Sequence, residues 1–578
     1  MNIVMKVLFV MPKMEAWATH GKHCAPNQFY AQLIAYVREK KLADCYAIDA
    51  RVEDLDFKLM MDKIKEINPD VIFLGEILHS TGGFAPIWHY IKLTQEVKKV
   101  LPSTKIVVGG LWFSALFEDT LKRYPAIDFV VIGEAEITFF ELLQSLKEGA
   151  ADFSSIAGLA SRNEARVVVG PHRELIKNLD VLPIPAYDLF PMQKYVGHTH
   201  WKPFCELLVS RGCPGGCVFC YEWSQYDPRS PRDFVSWRIK SAEKILDELE
   251  VLNKKYGVNV IVFQDDAFNV SKETVEKVCR GMIHREIKMN WVILGRADDW
   301  VNQLDLIPLM KEAGMFMGLL GVEVGSDEEL KKIGKGVDTH QIVQTIEALR
   351  KENIMSIGCF MVGFEDDTEA IVKQRFEFAD QSDPDIFALQ FFTPVPGSPI
   401  WKKYIDKGWV DLNNLDLRDW DFQHPVVPTN HLSIEDVGRL GSWCMREFFS
   451  KTERVARLFQ GSYHDLAVKC VRDFMENISS FESGATKKKN TQVEIKWDDV
   501  VEKKFRTAIS KMPFFHRRIA EKMVKAKSES IARQKNDGQV SEQELVSAFF
   551  EETPSAFKGL MKGVLADADI DYKKYKKD

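Results

Sequence analysis

Short apolar runs rich in Val and Ile alternate with longer amphipathic stretches over residues 1–150. The runs are Lys6–Val10, Cys45–Ile48, Val71–Gly75, Lys105–Gly109 and Phe129–Gly133. Between them, apolar residues recur at helical spacing over Asn27–Glu39, Asp56–Ile67, Pro86–Val100, Ser114–Tyr124 and Glu136–Glu148. Strands that are apolar throughout are buried on both faces, which predicts a parallel sheet sandwiched by helices. Five such units make a doubly wound α/β domain, whose ligands lie beyond the carboxyl ends of the strands. Two glycine-containing loops follow the third and fourth strands, Gly75–Gly83 and Gly109–Phe113. Glycine there either admits a large ligand close to the backbone or simply makes a tight turn.

Residues 151–200 read as a connector with small strands and a proline-rich exit, Leu182-Pro183-Ile184-Pro185. Alternation resumes over residues 201–405. Its expected strands are Glu206–Ser210, Val258–Phe263, Asn290–Leu294, Gly318–Val324, Met355–Val362 and Ile386–Phe392, separated by helices such as Ser241–Tyr256 and Asp338–Glu352. Six β-α units predict a partial (β/α)6 barrel. Residues 406–481 read as a helical extension, 482–495 as a polar linker and 496–578 as a small helical domain with a charged tail. No repeat at solenoid spacing is present.

Composition narrows the class. A chain of 578 residues with 46% hydrophobic and 28% charged residues predicts several folded domains. The net charge of −7 is scattered, so nothing in the sequence as a whole favours nucleic acid. No apolar run reaches the ~18 residues of a transmembrane segment. The opening MNIVMKVLFVMPKM lacks the apolar length and small-residue cleavage site of a signal peptide. Ten unevenly spaced cysteines suit a reducing compartment, so a cytoplasmic location is expected.

The segment RGCPGGCVFC concentrates chemistry, placing Cys213, Cys217 and Cys220 in a C-x-x-x-C-x-x-C spacing. Three thiolates on one short loop can wrap one face of a 4Fe–4S cubane. One iron then stays open to a ligand from outside the protein, provided no distant cysteine closes the shell. A zinc site would want a second tight pair, and no partner C-x-x-C occurs. Cys24, Cys45, Cys205, Cys279, Cys359, Cys444 and Cys470 are isolated and read mostly as small core residues. Cys205, nearest the loop, is the alternative fourth ligand.

Cys213-x-x-x-Cys217-x-Phe219-Cys220 resembles the signature of the radical S-adenosylmethionine (radical SAM) superfamily. The resemblance implies that the three cysteines are the metal ligands and the catalytic centre. It also implies that SAM chelates the open iron, that its cleavage yields a 5′-deoxyadenosyl radical, and that Phe219 lies near the adenine. The match extends over residues 204–400. It implies that Asp265 and Asp266 hold the SAM amino group and that Glu323, within Gly321–Ser326, accepts from the ribose. Gly363 and Thr393 close the fifth and sixth strands as further contacts. Ionised acceptors suit an ammonium and ribose hydroxyls because charge-assisted hydrogen bonds are the stronger ones. Asp366 and Asp367 read as a solvated strand end or a helix cap.

A doubly wound domain ahead of such a barrel is similar to the cobalamin-dependent branch of that superfamily. Gly133-Glu134-Ala135-Glu136-Ile137-Thr138 resembles the branch's G-E-x-E-x-T run, and the helix start there favours an anionic or polar ligand group. No D-x-H-x-x-G segment is present, so cobalt ligation by that histidine pattern is not implied. The corrinoid's lower face is expected to meet the loops Met11–Cys24, Glu76–Gly83 and Leu111–Phe113. Contacts implied by the resemblance are His79, Gly82, Gly83, Gly109, Gly110, Trp112, Gly133 and Glu134, with His79 either a cobalt ligand or a solvated loop histidine. The alternative is a domain that caps the barrel without a cofactor.

The module Trp497–Phe549, which contains Lys511–Arg517 (KMPFFHR), is similar to a small domain ending one subunit of dark-operative protochlorophyllide reductase, or forms a plain helical hairpin with Phe514 and Phe515 in its core. With Tyr221-Glu222-Trp223 and the domain order, the chain is also similar to the anaerobic magnesium-protoporphyrin monomethyl ester cyclases. The resemblance therefore implies an enzyme using a 4Fe–4S cluster, S-adenosyl-L-methionine and cobalamin on an unactivated carbon. Methyl transfer is the leading expectation, an oxidative cyclase acting on a tetrapyrrole the alternative, and a non-catalytic corrinoid and iron–sulfur carrier the rival of another class. Implied partners are a small-molecule, lipid or tetrapyrrole substrate and an electron donor such as flavodoxin or ferredoxin. Aromatic stretches at Trp201–Phe204, Tyr221–Tyr226 and Phe391–Phe392 either line a site for a large apolar substrate or fill the core.

Overall fold

All five apolar runs become neighbours in one sheet: β1 (Lys6–Met11), β2 (Asp44–Asp49), β3 (Val71–Glu76), β4 (Lys105–Gly110) and β5 (Phe129–Val131). The computed structural model describes residues 4–13, 23–76, 83–164, 166–225, 228–229, 237–477, 495–512, 514–535, 539–553 and 558–575. The five strands are parallel in the order 2-1-3-4-5, the doubly wound arrangement expected. Their helices are α1 (Gln28–Glu39), α2 (Phe57–Ile67), α3 (Pro86–Val100), α4 (Leu111–Ala115), α5 (Phe117–Arg123) and α6 (Ala135–Lys147). Asn27 and Asp56 start α1 and α2 by accepting the Tyr30 and Leu59 backbone N–H groups. Val7 and Phe9 pack on the α1–α6 side and Leu8 and Val10 on the α2–α3 side, which is why the strand is apolar throughout. The single helix expected over 114–124 is broken at Leu116, where the backbone leaves helical geometry.

Two further strands, β6 (Leu159–Asn163) and β7 (Arg166–Val169), extend this sheet antiparallel beyond β5. They cover a strand edge that would otherwise present unpaired backbone groups.

A second sheet forms the barrel. It contains β8 (Phe204–Leu207), then, beyond the short hairpin of β9 (Ser210–Arg211) and β10 (Arg238–Ile239), β11 (Val260–Phe263), β12 (Asn290–Gly295), β13 (Met315–Glu323), β14 (Met355–Val362) and β15 (Ile386–Phe391). The six long strands are parallel in the order 8-11-12-13-14-15, and β8 does not pair with β15. The barrel is therefore open, as six β-α units predict. Its first strand ends earlier than expected because Ser210 and Arg211 leave the barrel to pair with β10.

The barrel is hollow. Leu319, Gly321, Glu323, Ile357 and Cys359 are only half-buried, whereas the alternating Leu320, Val322, Gly358 and Phe360 are buried. Alternation places the first set on one face of the sheet and the second beneath the surrounding helices. One continuous core runs from Val7 and Phe9 through Tyr30, Tyr187 and Phe204 into Val260, Met317 and Phe360, so the two sheets share packing.

After the barrel, helices over Ile434–Ser450, Thr452–Phe459 and Asp465–Asn477 pack onto this core. The last helical module has a core of its own, built on Phe505, Val524, Leu545, Phe549 and Leu565. The side chains of Phe514 and Phe515 lie outside the described ones. Among the described residues no helix is long and apolar enough to cross a membrane.

Candidate functional site

Cys213, Cys217 and Cys220 lie on the loop that leaves β9. All three are free thiols, and Cys217 is 8% exposed. Each sulfur faces one N–H donor: the Gly215 backbone on Cys213 Sγ at 3.3 Å, the Glu222 backbone on Cys220 Sγ at 3.5 Å, and the Arg296 guanidinium on Cys217 Sγ at 3.9 Å. Trp223 pins the loop by donating to the Cys217 carbonyl at 2.8 Å. Burial, with Glu222 adding to it, pushes the Cys213 thiol up to about 12, and burial also raises Cys220. Thiolates form in such a place only when a cation compensates their charge.

Three cysteine thiols on one loop are the donor chemistry of an iron–sulfur centre. Among the described residues no three Cys, His, Asp or Glu side chains converge on one metal-ion position. A cubane spreads its cysteines over separate corners, and three sulfurs with one donor each suit that. Cys205, the alternative fourth ligand, faces away on β8: it accepts from Gln28 at 3.3 Å in a buried network with Tyr187.

A second loop forms the opposite wall. The Val218 N–H donates to the Ile333 carbonyl at 3.0 Å. A Cβ on Gly334 (φ +68°) would stand 2.8 Å from the Gly216 carbonyl oxygen. Lys335, 6% exposed, donates to Glu323 at 2.8 Å. Burial alone would lower the Lys335 ammonium, but the Glu323 carboxylate and the nearby Cys217 outweigh it and hold it above the usual lysine range. Arg296, Lys335 and this loop went unremarked in the sequence because their partners are distant along the chain. The Gly-Lys-Gly run at 334–336 was the one available signal.

At the end of β11, Asp265 accepts from the Val209 N–H at 2.8 Å, from the Ser210 N–H and from the Ser210 hydroxyl at 2.7 Å. Its second oxygen is buried without a hydrogen-bond partner. Burial pushes its carboxyl up to about 7 against the Ser210 donors. Asp266 instead accepts from the Tyr221 hydroxyl at 2.6 Å. Glu323 has φ +68° at an irregularity between β13 and β14, which turns its carboxylate to Lys335. Phe219 packs edge-on to Phe364 with ring centroids 5.6 Å apart. Gly363 (φ +99°) donates to Asp367 at 2.8 Å, and Thr393 is buried with its hydroxyl on the Phe391 carbonyl.

Asp367 corrects its sequence reading. It is 2% exposed, takes two 2.9 Å bonds from Arg375 and also receives the Gly363 and Phe364 N–H groups, while Thr368 caps the helix. A carboxylate so placed organises the fifth strand end rather than meeting solvent. Asp366 does sit at the surface, paired with Lys332.

On the sheet's carboxyl side, His79 and Gly82 lie outside the described residues. Gly83 (φ +61°) is pressed against Trp420 and Asp421, leaving no room for a Cβ. Gly109 faces Phe73, and Trp112 is 5% exposed between Phe84 and Trp401. These three are engaged by protein packing. Gly110 (φ +98°), Gly133 (φ +76°) and Glu134 line an open cleft with Gln28, Ser114, Arg211 and Asp266. The cleft opens to solvent between the two α/β units. Positive-φ glycines at the ends of β4 and just after β5 keep side chains out of that space, while the Gly133 N–H is taken by the Ser114 hydroxyl at 3.0 Å.

Glu134 and Glu136 also reach the barrel. Arg211 donates to Glu136 at 2.5 Å and lies 3.3 Å from Glu134, and Arg238 donates to Glu134 at 2.8 Å. Glu136 is 1% exposed. Burial would raise the Glu134 carboxyl, but Arg211 and Arg238 outweigh it and hold it below the usual range. The sequence drew attention to both glutamates but not to their arginines.

The chain is similar to known proteins over both of its α/β units. The Radical SAM superfamily model matches residues 207–379 and the B12 binding domain model matches residues 23–143. The uncharacterized methyltransferase PH0819 of Pyrococcus horikoshii is 30% identical over 442 residues, 76% of this chain and 91% of that protein. The anaerobic magnesium-protoporphyrin IX monomethyl ester cyclase of Rubrivivax gelatinosus is 26% identical over 426 residues, 73% of each chain. The radical SAM methyltransferase TsrM of Kitasatospora setae, solved with cobalamin and a 4Fe–4S cluster, superposes with a TM-score of 0.54 over 70% of this chain and 78% of that one. Its 16% identity makes this a likeness of fold.

Proposed function

The chain belongs to the cobalamin-binding branch of the radical SAM superfamily, and from that premise we propose that it transfers a methyl group to an unactivated carbon. When bound, the cluster supplies the electron that splits SAM into a hydrogen-abstracting radical, and the corrinoid carries the methyl group. Cys213, Cys217 and Cys220 are the residues that would hold the cluster. Asp265 offers its unpartnered oxygen to the SAM ammonium, and Glu323, held by Lys335, accepts from the ribose. Gly110, Gly133 and the rim of the cleft take the corrinoid. A low-potential donor such as flavodoxin or ferredoxin supplies electrons.

One observation carries this reading. Arg211, two residues ahead of Cys213, ties the cysteine loop to Glu136 and Glu134 at the start of the helix after β5, which supports a reading in which the two cofactor sites lie side by side. A methyl carrier and a radical source must face a common substrate for transfer to occur. The methyltransferase relative at 30% identity supports methylation, and the cyclase relative supports the oxidative alternative.

The test is anaerobic reconstitution with iron, sulfide and hydroxocobalamin, followed by methyl-labelled SAM, a reductant, and lipid or tetrapyrrole extracts. Methylation predicts 5′-deoxyadenosine together with labelled methyl in product. Oxygen from labelled water in product would instead establish the cyclase chemistry. Binding of both cofactors without 5′-deoxyadenosine above background would leave only a carrier. A Cys217→Ala variant is expected to lose the cluster and all SAM cleavage.

A further inference from the structure

Of the three donors that face the cluster sulfurs, two belong to the backbone and one to a charged side chain. That side chain, Arg296, follows the end of β12 and is 8% exposed. Its position is determined on every side. Nε and Nη2 each sit 3.1 Å from a carboxylate oxygen of Asp298, and Nη2 donates to the Lys335 carbonyl at 2.6 Å. Nη1 is left to point at Cys217 Sγ at 3.9 Å. The cluster loop has no side chain where the guanidinium enters: a Cβ on Gly215 would lie 2.5 Å from Nη1. Gly336, opposite, would bring a Cβ within 3.4 Å of Nη2.

This geometry has an electrostatic sense. Asp298 anchors the far side of the guanidinium, with its side chain 32% exposed, while the near side faces a buried sulfur. The pair therefore presents its positive end to the cluster loop. Lys335 repeats the arrangement, anchored by Glu323 and influenced by the charge of Cys217. Reduction adds one electron to the cluster, drawn from an external low-potential one-electron carrier, with no bond or proton change on the protein. Hydrogen bonds to ligand sulfurs and fixed positive charge favour the more negative, reduced state. Arginine suits the role because it stays charged and its planar fork can hold Asp298 and a sulfur together.

We propose that Arg296 is a positioning residue for the cluster: its N–H on Cys217 Sγ orients that ligand and raises the cluster's reduction potential, making the electron easier to accept. This rests on the reading of Cys213, Cys217 and Cys220 as the cluster ligands. It adds a role that the ligand set alone does not contain.

The experiment is a redox titration, followed by electron paramagnetic resonance, of the full-length protein reconstituted anaerobically with iron and sulfide, with no substrate added. Iron and sulfide per chain are measured for the parent, Arg296→Lys, Arg296→Gln and Cys217→Ala. The expected result is full cluster content in both Arg296 variants and a midpoint falling in the order parent, Lys, Gln. At a fixed potential the reduced-to-oxidised ratio of Arg296→Gln should be about tenfold below the parent, as loss of one charge-assisted hydrogen bond implies. A Gln variant with full cluster and the parent midpoint overturns the proposal. So does an unchanged midpoint with weakened SAM binding, read from the SAM-induced change in the resonance signal, which would make Arg296 a SAM contact. Should the Gln variant take up no iron, the Lys variant decides: a midpoint below the parent's supports the proposal and an equal one overturns it. Retention of the cluster by Cys217→Ala would refute the ligand assignment itself, a separate failure.

Discussion

Arg211 and Glu136 meet at 2.5 Å across 75 residues of sequence, joining the doubly wound sheet to the strand that leads into the cysteine loop. Glu136 is nearly inaccessible and Arg211 mostly covered, so the pair is a desolvated joint rather than a surface contact. Such a pair adds little net stability when intact, yet removing one partner strands a buried charge.

Arg211→Met is therefore expected to destabilise the protein by about 3 kcal/mol, because Glu136 stays buried without its cation. Urea unfolding checks this, and Arg211→Met in a Glu136→Ala background should cost much less than it does alone. Equal costs in the two backgrounds would mean that the residues act independently.

The same joint has a pH signature. Glu134 is held below the usual carboxylate range by Arg211 and Arg238 despite its burial. A depressed folded value contributes stability that is present above the unfolded value, near 4.3, and lost as pH falls through the folded one. Acidification below about pH 4 should thus loosen the sheet from the barrel. Limited proteolysis against pH reads this, and Glu134→Gln should remove that step.

Asp265 has the opposite sign. Burial raises its carboxyl to about 7, so the native state carries a proton that the unfolded chain has shed. Stability should fall as pH rises from about 4 to about 7 and then level off. Asp265→Asn should flatten that slope. A cation docking at the unpartnered oxygen would expel the proton, so SAM binding at pH 6.5 should release protons, detectable by calorimetry in buffers of different ionisation heat.

Gly334→Ala places a methyl group 2.8 Å from the Gly216 backbone oxygen, at a positive φ. A backbone oxygen held in the cysteine loop cannot give way cheaply. A cost of about 2 kcal/mol is expected, together with reduced iron uptake on reconstitution. Full iron uptake with an unchanged melting temperature would argue against the loop as a wall of the cluster site.

Lys240 and Glu248 form a second buried pair at 2.7 Å, and Glu248 also accepts the Tyr187 hydroxyl at 2.6 Å. Lys240→Met alone should cost about 3 kcal/mol, because the carboxylate stays buried without its cation. Adding Glu248→Leu should recover part of that loss. Thermal unfolding of the single and double variants reads the difference.

Much of the architecture was legible along the chain, because strand and helix periods and cap residues are local properties. Both sheets, the parallel sense of β1–β5 and of the six barrel strands, and the open barrel follow from alternating apolar runs, whereas the antiparallel β6 and β7 do not, and the cysteine spacing announces its chemistry within eight residues. What only the tertiary structure decided is how distant segments pair. Arg296 reaches Cys217 across 79 positions, and Arg211 finds Glu136 across 75. Asp367 reads along the chain as a solvated strand end or a helix cap, and only the fold brings Arg375 onto it; likewise only the fold sets Trp112 between Phe84 and Trp401. Charge partners and packing neighbours are chosen by how whole elements dock, and no residue period along a chain records that choice.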